Sequence, residues 1–353
     1  FVADHNGGSV QRLTADDGLE SNPVFSPDGR TIAFSAQYDG NIDVYTVPVT
    51  GGAPTRLTYH PNADLVQAVT PDGKAVLFAS QRATFTTRYA QLFTISMAGG
   101  MEEALPIPNA ARAGYSPDGS RIATAGWDYT ARLWDANTGK LIATFINHDD
   151  FVTKLVFSPD GAHVATASLD ALARVWDANT DDSIATIAGH VNDVRRVVFA
   201  AGDARVVTTS LDKTAKVWNA NTGELVVTLR GHTDAVMVLA SSPDGARIAT
   251  GGWDRTAKIW DITTGALVAT LRGHTDSVNM LRYSPDGARI ATSSSDGTAR
   301  LWDANTFEPI ATLKGHRNIV DSLVYSPDGA RIATASLDHT AILWNADTGT
   351  RLA

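Results

Sequence analysis

The tetrapeptide Ser-Pro-Asp-Gly begins at Ser26, Ser116, Ser158, Ser242, Ser284 and Ser326, with Thr70-Pro71-Asp72-Gly73 a variant and Ala200-Ala201-Gly202-Asp203 a degraded copy. Proline holds φ for the second position of a type I turn, aspartate can bond the local backbone, and glycine accepts the left-handed conformation that rejoins the strands. Each copy predicts a hairpin tip, and eight tips predict eight units.

Alternating segments flank every tip, as in Lys154-Leu155-Val156-Phe157 before and His163-Val164-Ala165-Thr166-Ala167 after. A third strand ends in aromatic residues such as Arg174-Val175-Trp176, and a fourth follows Asn-Thr-Gly-type turns. Four short antiparallel strands in about 42 residues are the signature of a propeller blade, a small sheet that must pack on its neighbours because it cannot bury both faces alone. The expected fold is all-β, a single closed β-propeller of eight four-stranded blades, with nine blades, one of them incomplete, as the alternative. A composition of 43% apolar residues, 29 glycines and 14 prolines suits many strands and turns and excludes disorder.

From residue 116 the step is rigid. Tryptophans 134, 176, 218, 260, 302 and 344 are 42 apart, as are aspartates 128, 170, 212, 254, 296 and 338, and histidines 148, 190, 232, 274 and 316. With Gly189-His190, Gly231-His232, Gly273-His274 and Gly315-His316, and with Trp134-Asp135, Trp176-Asp177, Trp260-Asp261 and Trp302-Asp303, residues 116–353 resemble WD repeats; Asn219 and Asn345 replace the aspartate in two copies. Residues 1–115 follow another pattern, with units of 44 and 46 residues, no tryptophan, and Gly-Gly turns leading to Arg12-Leu13-Thr14 and Arg56-Leu57-Thr58. Together with Thr84-Phe85-Thr86-Thr87-Arg88-Tyr89 and Glu103-Ala104-Leu105-Pro106, this stretch resembles the propeller of tricorn-like peptidases and is similar to TolB-like repeats. The chain reads as one domain joining two propeller families near Tyr115-Ser116, by nature or by design.

The resemblance to WD repeats implies that the first strand completes the last blade. Ser9-Val10-Gln11-Arg12-Leu13-Thr14 is placed for this, which would remove an exposed sheet edge. The C-terminal Thr350-Arg351-Leu352-Ala353 is the equivalent strand of the last repeat and competes for the position, and residues 1–6 read as an extra inner strand.

His190, Asp212 and a strand hydroxyl such as Ser210 invite comparison with a catalytic triad. Repetition argues against it, because similar sets recur as His148 with Asp170, His232 with Asp254, His274 with Asp296 and His316 with Asp338, and an enzyme needs one active site. The resemblance implies a structural network in which histidine is bridged to aspartate and to the ring nitrogen of Trp176, Trp218, Trp260, Trp302 or Trp344. The tricorn-like resemblance places hydrolysis in a separate domain after the propeller, which this sequence does not contain, so the expectation is a protein that is not an enzyme. Each histidine of the repeat stands on a separate blade and cysteine is absent, so neither metal nor cofactor is expected. His5, His60, His163 and His339 match no shared position and are expected on strands or the surface.

A net charge of −9 with no basic stripe excludes a phosphate-neutralising, nucleic-acid-binding surface. No apolar run is long enough to cross a bilayer and the first residues lack the pattern of a signal peptide, so a soluble protein is expected, and a monomer, with its compartment open.

Positions that vary among near-identical repeats are free to serve a partner. Before the turn aspartates stand Trp127, Leu169, Leu211, Trp253, Ser295 and Leu337, and at the start of the inner strand stand Phe151, Asp193, Ala235, Ser277 and Ile319, followed at two residues' distance by Thr153, Arg195, Met237, Asn279 and Asp321. The resemblance puts these sites around the channel mouth, where WD-repeat proteins commonly hold peptides. Trp127, Leu169, Leu211, Trp253, Leu337, Phe151, Arg195, Met237, Asn279 and Asp321 are therefore the candidate contacts for a protein or peptide partner. Packing between blades is an equal alternative for the leucines, and a hybrid ring with no evolved partner is the alternative for the whole.

Overall fold

A computed structural model of the 353-residue chain describes residues 20–38, 40–82, 90–105, 107, 112–126, 128–180 and 182–352. The described residues form eight antiparallel sheets in chain order, each an up-and-down meander. They are blade 1 (20–56), blade 2 (64–104), blade 3 (112–145), blade 4 (152–188), blade 5 (194–230), blade 6 (236–271), blade 7 (278–314) and blade 8 (320–345). Seven have four strands and blade 8 has three. The chain is an eight-bladed β-propeller; a ninth blade is not found among the described residues.

The tips have a common construction. In the first copy Pro27 follows Ser26, whose Oγ donates to Asp28 Oδ1 at 2.6 Å and accepts from the Thr31 N–H at 3.0 Å, while the Arg30 N–H reaches Asp28 Oδ1 at 3.1 Å. Gly29 stands at φ 68°. The serine hydroxyl thereby closes the hairpin from inside, a role the turn grammar alone does not require. Where the motif is degraded, Ala201, Gly202 and Asp203 all take positive φ, at 52°, 60° and 70°.

The chain divides into two compact units, one formed by Phe1–Leu105 with Arg282–Ala353 and one by Pro106–Leu281. In the first, Phe25, Phe34, Tyr45 and Val47 of blade 1 pack against Ala333 and Leu343 of blade 8, and Ala33 and Val44 share a second cluster with Val66, Phe78 and Phe93 of blade 2. In the second, Leu133 and Phe145 of blade 3 meet Val164 and Trp176 of blade 4, Ile187 of blade 4 meets Val197 and Trp218 of blade 5, and Val217 of blade 5 meets Ile248 and Trp260 of blade 6. Each second strand is covered on both faces, so residues such as Val164–Ser168 are buried without alternation. The hydrophobic core thus lies between blades, which is why no blade could fold alone.

At the outer edge of blade 8, Arg351 bridges Trp344 and the Leu352 N–H donates to the Leu343 carbonyl at 2.7 Å. The preceding turn repeats that of the other blades: Gly349 N–H reaches the Asn345 carbonyl at 2.9 Å, as Gly223 reaches Asn219 and Gly265 reaches Asp261. The C-terminal segment therefore lies where a fourth strand begins. The alternative closing strand, 9–14, falls outside the described residues, as do residues 1–6.

Candidate functional site

The repeated His, Asp and Trp residues meet through a residue the triad comparison did not name. In blade 4, His148 Nδ1 lies 2.7 Å from Asp170 Oδ2 and His148 Nε2 lies 2.8 Å from Thr166 Oγ1, which also accepts from the Trp176 ring N–H at 3.0 Å. Blade 5 repeats this with His190, Asp212, Thr208 and Trp218 at 2.7, 2.7 and 2.8 Å. Blade 6 does so with His232, Asp254, Thr250 and Trp260, each at 2.8 Å. In blade 8, His316 is 3.2 Å from both carboxylate oxygens of Asp338 and 2.8 Å from Thr334, to which Trp344 donates at 2.8 Å. In blade 7 the Trp302 N–H reaches Thr292 at 3.0 Å.

The link from tryptophan to histidine thus runs through a threonine hydroxyl and is not direct, because a hydroxyl can accept one bond and donate another. An ionised aspartate only accepts, so Nδ1 carries the histidine proton, Nε2 accepts from threonine, and threonine accepts from tryptophan; this tautomer follows from the hydrogen-bond pattern. All donors point one way along the chain. Ser210 is not in it: its hydroxyl donates to the Asn192 carbonyl at 2.9 Å and accepts from the Asp212 N–H at 3.0 Å. The signal for the true partner was present, since threonine stands ten residues before every one of the six repeat tryptophans, at 124, 166, 208, 250, 292 and 334.

Burial pushes the Asp212 and Asp254 carboxyls up, but the bonds from His190 and His232, the Thr214 and Thr256 hydroxyls and backbone N–H groups outweigh it and hold both well below the usual carboxylate range. Asp170 and Asp338 are lowered in the same way against the same opposing burial. Burial lowers His316, favouring its neutral form. A carboxylate depressed in the folded state contributes stability above its unfolded value, near 3.8, and that contribution is lost as pH falls through the folded value. Urea unfolding from pH 7 to 2 should show this loss setting in below about pH 4, with a shallower acid limb in Asp212→Asn.

The turns after the tryptophans explain why aspartate and asparagine alternate there. Asp135 Oδ1 accepts from the N–H groups of Asn137 and Thr138 at 3.1 and 2.7 Å, and Asn219 Oδ1 accepts from Asn221 and Thr222 at 2.9 and 3.1 Å. Only an acceptor is needed.

Blades 1 and 2 use other chemistry. Buried Asp43 pairs with Arg56 at 2.6 Å, buried Asp64 pairs with Arg82, and Arg82 also reaches Glu102 at 2.9 Å while lying 4.9 Å above the Phe93 ring. Burial pushes both aspartates up despite the nearby guanidiniums. Glu20 receives the Tyr38 hydroxyl, and since Tyr38 and Arg82 each follow their carboxylate by 18 residues, this is a repeated device of these blades. With two copies, its period was too short a record to be read from sequence.

The variable positions are brought together in pairs. In the second unit the Leu169 N–H donates to the Phe151 carbonyl, Leu211 to Asp193 and Trp253 to Ala235, at 3.0, 3.1 and 3.0 Å; in the first, Leu337 donates to Ile319 at 2.9 Å. Trp253 is 49% exposed, Leu337 43% and Phe151 37%, whereas Leu169, Leu211, Arg195, Met237 and Asn279 are half-buried and Asp321 is exposed. Arg195 lies 3.8 Å from Asp193. Thr153 is engaged elsewhere, its hydroxyl donating to the Val194 carbonyl of the next blade at 2.8 Å. Trp127 falls outside the described residues. His339 does share a repeat position: at φ 67° it follows the turn aspartate, like Tyr129, Ala171, Lys213 and Arg255, at 67°, 66°, 70° and 65°, and Gly297 at 79°. That position was missed because its shared property is backbone conformation and not residue type.

Among the described residues no group of three or more His, Asp or Glu gathers to hold a metal, and no helix is long and apolar enough to cross a membrane.

These blades are of two kinds, and comparison with known proteins separates them along the chain. The family model of the tricorn protease N-terminal beta propeller domain matches residues 1–139. That of the WD domain, G-beta repeat, matches residues 139–177, 181–219, 223–261, 265–303 and 307–345, more than half of the chain. The chain belongs to the WD-repeat family and is a hybrid propeller whose N-terminal part is tricorn-like. Tricorn protease homolog 1 of Streptomyces coelicolor is 37% identical over 59 residues, 17% of this chain and 6% of that protein, so the chain spans a small fraction of that relative. Among solved structures, the computationally designed Ika8 protein matches with a TM-score of 0.77 at 23% identity, over 95% of this chain and 99% of that one, a likeness of fold.

Proposed function

We propose that the protein is a non-catalytic propeller scaffold that binds a protein or peptide through the turns and strand starts of its WD-type blades. The observation that carries this reading is the exposed Trp253, set beside the variable strand start at Ala235 by its own backbone N–H. Large aromatic side chains held on a rigid sheet end lose little entropy on binding, and such residues commonly dominate an interface. Leu169, Leu211, Phe151, Arg195, Met237 and Asn279 supply the surroundings in the same unit, and Leu337 and Asp321 are the equivalent contacts in the other. The His-Asp-Thr-Trp sets are structural in this reading, since in blades 4, 5 and 6 both histidine nitrogens, the threonine hydroxyl and the tryptophan N–H are bonded to one another or to the turn aspartate, and the set recurs from blade to blade.

Selection of a displayed peptide library on the immobilised protein tests this. The expected result is an enriched sequence whose affinity falls at least about tenfold in Trp253→Ala, equivalent to about 1.4 kcal/mol. Failure to enrich any sequence, or binding indifferent to Trp253, overturns the reading. That result would favour the alternative of a hybrid ring without an evolved partner, which the uninterrupted 42-residue step supports.

A further inference from the structure

Where blades 3 and 4 adjoin, two exposed aromatic rings meet at the proposed binding end of the second unit. Tyr129 and Phe151 have centroids 5.5 Å apart and planes tilted by 54°, and they are 44% and 37% exposed. Phe151 follows two consecutive aspartates, exposed Asp149 and half-buried Asp150. Asp128, next to Tyr129, is paired with Arg132 at 2.7 Å, the Asp149 N–H donates to the Asp170 carboxylate at 3.0 Å, and Arg174 is turned to the Asn147 carbonyl at 2.7 Å, so Asp149 and Asp150 add two carboxylates to a segment whose nearest guanidiniums are already engaged. Asp150 Oδ1 accepts the Phe151 N–H at 2.7 Å, which fixes this carboxylate beside the ring that follows it. Tyr129 occupies left-handed backbone, where blade 7 has Gly297. A side chain thus stands where glycine would be the less strained choice.

We propose that this corner receives a basic side chain, lysine or arginine, of an extended peptide. Aromatic faces attract a cation and its aliphatic stem together, and the adjoining carboxylates supply the counter-charge that an apolar corner alone would lack. An acidic side chain is repelled by Asp149 and Asp150, and a neutral one can at most donate a hydrogen bond to them without the charge–charge attraction. The proposal rests on the rim-binding reading above and names the chemistry that one part of that rim selects.

The test uses three fluorescein-labelled peptides of one Leu-flanked sequence that differ only in a central Arg, Gln or Glu, titrated by anisotropy against the wild type, Tyr129→Gly, Phe151→Ala and Trp253→Ala. The expected result is that the Arg peptide binds at least about tenfold more tightly than the Glu peptide. Tyr129→Gly and Phe151→Ala should each remove most of that preference, with the unfolding midpoint of Tyr129→Gly unchanged or raised. A merely structural role for Tyr129 would instead lower that midpoint. Binding that depends on Trp253 but ignores the charge of the central residue overturns the basic corner and leaves the rim reading in place. Absence of binding by all three peptides overturns the corner proposal, while the library selection still decides the rim.

Discussion

Thr208→Val should lower the stability of the protein by about 3 kcal/mol, more than most single changes at a buried hydroxyl. Valine fills nearly the same volume, so packing is preserved and the effect is electrostatic. The hydroxyl is the sole relay between the Trp218 ring N–H, at 2.8 Å, and His190 Nε2, at 2.7 Å. Thr208 is 0% exposed, Trp218 1% and His190 8%, so water cannot replace it without opening the blade. Two buried groups lose their partner at once, each at a cost of about 1 to 3 kcal/mol. Ser210→Ala is the comparison: it removes a buried hydroxyl that bonds the Asn192 carbonyl and the Asp212 N–H but leaves the Trp218–Thr208–His190 relay in place, so the excess loss in Thr208→Val reports the relay. Urea denaturation of the three proteins measures the difference, and equal midpoints would show that the chain of hydrogen bonds does not hold the blade.

Gly189→Ala should cost a comparable amount, about 3 kcal/mol, for a different reason. Gly189 takes φ 149°, a region almost closed to residues with a side chain, and a Cβ built there would stand 3.0 Å from Trp218 Cη2. The ring cannot retreat, because it is buried and held by Thr208. The neighbouring repeat has the same arrangement, with Gly231 at φ 156° and Trp260 at 3.2 Å. The Gly-His pair is therefore one unit with the tryptophan: glycine passes over the indole so that histidine can reach the threonine. Thermal unfolding of Gly189→Ala and Gly231→Ala should show similar losses, and a neutral effect would contradict the account of the motif.

Much of this architecture could be read from the chain because its signals are local and repeated. Ser-Pro-Asp-Gly fixes a tip by the conformations of three consecutive residues, and eight tips determine the number of blades. The His, Asp and Trp residues stand out through their constant step, and so does the threonine ten residues before each tryptophan, but Thr208 and Ser210 lie two apart on one strand and share a face, so which of the two hydroxyls meets histidine is set by where the loop carrying His190 lies in three dimensions. Alternation distinguishes faces but does not rank hydroxyls on the same face. The acid network of blades 1 and 2 remained hidden because Glu20 and Asp64 are different residues with different partners, Tyr38 and Arg82. The corner of Tyr129 and Phe151 was hidden for another reason: its two rings come from different blades, and no periodicity within a repeat reports a contact between repeats.

The binding surface is the part of the account furthest from the fold, and its location can be measured directly. Hydrogen exchange of the protein with and without the library-selected peptide should show protection confined to the sheet ends at 149–153, 169–171, 193–195, 211–213, 235–237 and 253–255. The outer strands Leu225–Arg230 and Leu267–Leu271 should exchange as in the free protein. Protection on those outer strands, with none at the turns, would contradict a scaffold that binds through the variable ends of its WD-type blades.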